Sequence, residues 1–94
     1  MDNQILVVED SAAMRSFIAS TVEEIEGTSV VEAASGFEAL KELPRHDFKL
    51  IITDINMPDI NGLELIRFIR ENEKYKETPL IIVSTESSQR DRER

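Results

Sequence analysis

The 94-residue sequence predicts an α/β domain built on a parallel sheet with helices on both faces, and three observations carry that expectation. Ile5-Leu6-Val7-Val8 and Leu50-Ile51-Ile52-Thr53 are apolar or β-branched without alternation, as in strands covered on both faces, and Leu80-Ile81-Ile82-Val83 is a further strand-like apolar run. Segments of helical character separate the strand-like runs, and that order calls for parallel pairing through right-handed crossovers. Acids stand where two of the runs end: Glu9-Asp10 after the first, and Asp54 after Leu50-Ile51-Ile52-Thr53.

Taken in order, Gln4 to Val8 is the first strand. Ser11 caps a helix whose apolar positions Met14, Phe17, Ile18, Val22 and Ile25 share one face, and Gly27 closes it. Thr28 to Ala34 reads as a more polar edge strand. Ser35 and Glu38 have capping-box spacing and open a short helix through Leu43 that Pro44 ends. His46 follows in loop composition and is expected to be solvated. The central strand runs from Leu50 into Asp54, and Asp59, Asn61 and Gly62 give the chain a turn. Asn61 and Glu64 repeat the capping spacing before a helix with Leu65, Ile66, Phe68 and Ile69 inward. Glu73 to Thr78 is a polar loop, and Pro79 to Val83 is a fourth strand ending at Ser84-Thr85. In the tail Ser88 and Asp91 have capping spacing again, but no apolar residue follows. The chain is expected to stop there as a helix begins.

Composition narrows the function. Nineteen acids against eleven bases give a net charge of −8, which repels phosphate backbones and argues against direct nucleic-acid binding. There is no cysteine, hence no disulfide or thiolate metal site, which fits a cytoplasmic protein. No apolar run is long enough for a membrane span, and no signal peptide is expected. The length suits one domain.

If the first and third strands are neighbours whose crossovers leave in opposite directions, a crevice opens between their carboxyl ends. Glu9, Asp10 and Asp54 would line it. Three carboxylates so close repel, and either one takes a proton or a cation sits among them. An all-oxygen donor set without His or Cys suits Mg²⁺. A carboxylate beside Mg²⁺ at a sheet mouth is a competent phosphoryl acceptor, and Ser84 on the adjacent strand is placed to hydrogen-bond a phosphoryl oxygen. The plainer alternatives are that Asp54 only starts a turn or caps a helix, and that Ser84 is a strand-terminal turn residue.

These residues resemble the receiver domain of two-component response regulators, in particular its small chemotaxis type. The matching pieces are Ile5-Leu6-Val7-Val8-Glu9-Asp10-Ser11 with Met14-Arg15, Asp54-x-Asn56-Met57-Pro58 with Gly62-x-Glu64-Leu65, and Pro79-Leu80-Ile81-Ile82-Val83-Ser84. The resemblance implies a flavodoxin-like, doubly wound parallel sheet with strand order 2-1-3-4 over residues 1–94. It implies that Asp54 accepts a phosphoryl group from a histidine kinase or phosphotransfer domain. Asp10 and Asp54 would bind Mg²⁺ through carboxylates, Asn56 through its backbone carbonyl, and Glu9 through water. The Ser84 hydroxyl would move to the phosphoryl group and couple it to a surface read by a downstream target. Such a domain assists its own phosphorylation and dephosphorylation but is no enzyme toward an outside substrate; it shifts a two-state population.

Two departures stand out. Glu9 occupies a position where the family commonly has Asp, which leaves direct or water-mediated metal contact open. The family's fifth strand with its Lys-Pro pair, and its last helix, have no counterpart here. Phosphorylation is therefore expected to be impaired, and the bare apolar edge at Leu80 to Val83 to self-associate or to be completed by another chain. A phosphatase of the haloacid-dehalogenase type is disfavoured, because Asn56 stands where its general acid would be. Nucleotide binding is disfavoured by the lack of a Gly-rich loop after the first strand. The remaining alternative is an interaction or assembly module of the same fold whose acids go unused.

Overall fold

The computed structural model describes residues 3–55, 57 and 60–83. In chain order these form β1 (Asn3–Val8), α1 (Ala12–Glu23), β2 (Thr28–Ala33), α2 (Gly36–Glu42), a 3₁₀ turn (Leu43–Arg45), β3 (Phe48–Asp54), α3 (Gly62–Glu71) and β4 (Leu80–Val83). The sheet is parallel throughout, in the order β2-β1-β3-β4. Among the described residues β4 is therefore an edge strand.

Alternate residues of β1 serve opposite faces of the sheet, and both faces are covered, which is why its apolar run does not alternate. On one face Leu6, Val8 and Ile51 pack with Leu43, Leu65 and Ile69. On the other, Ile5, Val7 and Ile52 pack with Ile18 and Val22 of α1. The register leaves the strand ends flush, with Val8 level with Ala33 and Thr53, and Asp54 level with Val83. Residues just beyond these positions share one rim.

The helix starts follow their sequence signals. The Ser11 hydroxyl accepts from the Met14 amide, and the Ser35 hydroxyl from the Glu38 amide. Asn61 Oδ1 accepts from the Leu63 amide at 2.7 Å. Gly27 has φ +84°, the left-handed conformation that lets the chain leave α1 for β2.

Three expectations are corrected. Of the five apolar positions expected on the buried face of the first helix, Ile18 and Val22, four residues apart, pack on the sheet, whereas Phe17 is 68% exposed and Ile25, past the end of α1, 58%. One helix on one sheet face covers a stripe narrower than the full apolar arc. On α3 the pair Leu65 and Ile69 fills the core and the flanking Phe68 is exposed for the same reason. His46 is not merely solvated: its Nδ1 lies 3.0 Å from Gln4 Oε1, its Nε2 3.2 Å from Glu42 Oε1, and its ring 5.1 Å from that of Phe48. The expected helix start at Ser88 lies outside the described residues. No helix among the described residues is long and apolar enough to cross a membrane.

Candidate functional site

The rim at the carboxyl ends of β1 and β3 gathers the acids. Glu9 continues the β1 ladder by donating its amide to the Ala33 carbonyl at 3.0 Å, which draws its side chain into the protein, 1% exposed. Its Oε2 accepts from the Ser11 amide at 3.0 Å, while Oε1 is buried without a hydrogen-bond partner among the described residues. Asp10 is exposed, and Asp54 ends β3 fully buried. One carboxylate oxygen from each of the three lies within 4.8 Å of the others.

The backbone beneath these side chains is held from several directions. The Thr53 hydroxyl donates to the Asp54 carbonyl at 3.0 Å, and the Gly62 amide to the Ile55 carbonyl at 2.8 Å. A Cβ on Gly62 would run into the Asp54 carbonyl and the Ile55 Cα, so α3 starts against the chain that leaves the acid. Arg15 reaches back from the first turn of α1. Its Nη1 donates to the Glu9 carbonyl at 2.9 Å and its Nε to Glu32 Oε1 at 3.1 Å.

Burial pushes the Glu9 carboxyl up to about 7; the charges of Asp54 and Asp10 add to this, and the Ser11 amide opposes it. The cluster thus fits a hard divalent cation. Its donors are all oxygens, one of them is buried and unsatisfied, and the mutual repulsion is of the kind a positive ion relieves.

Of the residues expected at the site, Glu9, Asp10 and Asp54 come together, while Asn56 and Ser84 lie outside the described residues. Arg15, Glu32 and Gly62 were not assigned to it from sequence. One signal for Arg15 was available: a cation in the first turn of a helix opposes the helix dipole and calls for a reason.

The family description "Response regulator receiver domain" matches residues 5–94. The chain belongs to the response regulator receiver family. A CheY homologue of Campylobacter jejuni is 44% identical over 84 residues, covering 88% of this chain and 65% of that protein. CheY1 of Helicobacter pylori is 42% identical over 84 residues, 88% of this chain and 68% of its own length. The chain thus spans about two thirds of the length of these curated relatives. Among solved receivers, CheY4 of Vibrio cholerae superimposes with a TM-score of 0.83 at 33% identity, over 99% of this chain and 77% of that one. Receiver domains are signalling modules of two-component systems, and the strand order 2-1-3-4 found here is theirs.

Proposed function

We propose that residues 1–94 form the N-terminal, four-strand portion of a receiver domain, which takes a phosphoryl group onto Asp54 from a histidine kinase or phosphotransfer domain and presents an altered surface to a downstream target protein. The chemotaxis relatives favour a target of that kind. The observation that supports this reading is the convergence of Glu9, Asp10 and Asp54 within 4.8 Å at the rim of the sheet.

In this reading an Asp54 carboxylate oxygen attacks the phosphorus of a phosphohistidine. The O–P bond forms as the N–P bond breaks, and the departing imidazole nitrogen keeps the electron pair and takes up a proton. An ionised Asp54 needs no general base. Glu9, Asp10, Asp54 and the Asn56 backbone carbonyl would hold Mg²⁺, which when bound supplies positive charge to the phosphoryl oxygens. Glu9 and Asp54, being buried, are held in place by packing and backbone contacts, so little reorganisation precedes the transfer. Ser84 would donate its hydroxyl to a phosphoryl oxygen. The output is a shift between two surface states.

The test is intact-mass analysis after incubation with acetyl phosphate. The wild-type chain is expected to gain one phosphoryl group, slowly and only when Mg²⁺ is present, because the Lys of the family's fifth strand has no counterpart here, and Asp54→Asn to gain none. Labelling that persists in Asp54→Asn, or that ignores Mg²⁺, would overturn the reading. A second reading, an assembly module whose acids go unused, draws on the exposure of Ile81 and Ile82 along β4. No labelling together with no Mg²⁺ uptake by calorimetry would select it.

A further inference from the structure

The structure assigns Arg15 a role beyond bracing its helix: we infer that it is a positioning residue that sets the geometry of the acidic cluster by gripping the Glu9–Asp10 peptide. The inference rests on the reading of that cluster as a cation site. The Glu9 carbonyl belongs to the peptide that joins two of the three acids, and Arg15 Nη1 donates to it at 2.9 Å. The other arm of the guanidinium, Nε, donates to Glu32 Oε1 at 3.1 Å, next to the last residue of β2. The peptide is thereby tied to the neighbouring strand through a side chain that is only one-fifth exposed.

Two electrostatic effects oppose an arginine here. The first turn of α1 is the positive end of the helix dipole, and a nearby cation site is weakened by any further positive charge. A surface ion pair with the 44% exposed Glu32 offsets little of that. What the residue supplies is geometric. A planar fork can donate in two directions at once, to Glu9 and to Glu32, whereas a lysine ammonium at the same place is a single point donor.

Arg15→Gln and Arg15→Lys in the full chain separate geometry from charge. Mg²⁺ alone is titrated by calorimetry, and exchange of the Ser11 amide is followed by NMR in the metal-free protein, because that amide is bonded to the Glu9 carboxylate. Both variants are expected to bind Mg²⁺ roughly tenfold more weakly, as loss of an outer-shell partner does, and to exchange the Ser11 amide faster. Tighter binding by Arg15→Gln would mean that charge alone matters and would overturn the inference. So would a lowered melting temperature with unchanged Mg²⁺ affinity and unchanged Ser11 exchange, the behaviour of a mere brace. If the wild-type chain takes up no Mg²⁺, the cation reading falls and the exchange measurement alone decides: faster exchange in both variants supports positioning, and unchanged exchange refutes it.

Discussion

Glu9 and Asp54 stand at the carboxyl ends of paired parallel strands, both shut off from solvent, and the charge on Asp54 adds to burial in holding the Glu9 carboxyl up to about 7. Asp54 thus opposes the ionisation of Glu9, which holds its proton to a higher pH than an ordinary carboxyl.

Stability without metal should depend on pH accordingly. The folded chain binds the Glu9 proton more tightly than the unfolded chain, so this contribution is complete below the ordinary value of 4.5 and is lost as pH rises through about 7. Thermal melts in a chelator are expected to show a falling midpoint across that window and a plateau above it. Glu9→Gln removes that slope. An equally steep fall in Glu9→Gln would refute the assignment.

Metal uptake should release a proton. Below about 7 the Glu9 carboxyl is largely protonated, and a cation that uses it must displace that proton. Calorimetric titrations with Mg²⁺ in buffers of different ionisation enthalpy are expected to report proton release that fades as pH rises above this value. Heats independent of buffer at pH 6 to 7 would show that Glu9 takes no part.

Gly62→Ala tests how the start of α3 is seated. The new methyl meets backbone at Asp54 and Ile55, which cannot swing aside as a side chain can. A loss of about 1–3 kcal/mol in denaturant unfolding is expected, together with weaker Mg²⁺ binding. Wild-type values for both would show that the two segments part easily.

The purified 94-residue chain is expected to self-associate, since Phe17, Ile81 and Ile82 are large, apolar and about half exposed or more, and the last two lie on the strand that is the sheet's edge among the described residues. Light scattering should show a mass that grows with concentration, reduced by Ile81→Lys. A constant monomer mass across the micromolar range would count against it.

The acids could be read from the chain because unbroken apolar runs show where buried strands end, and whatever follows such a strand reaches the rim. Asp54 and Glu9 needed no more than that. Arg15 was less legible, as its partners lie 6 and 17 positions away and are defined only once β1 and β2 are paired. His46 was obscured in the same way, because Gln4 is 42 positions distant and loop composition carries no trace of it. The exposure of Phe17 escaped detection for a different reason. Helical periodicity reveals an apolar arc, but the width that becomes covered depends on which neighbours dock.

The pairing of Asp54 with Val83 has a last consequence. One rung of backbone, roughly 4.8 Å, separates the proposed point of chemical input from β4, the last strand of the sheet among the described residues. In the proposed reading, a change at Asp54 thus has a single ladder step to cross before it is felt on β4, with no relay through the core between them.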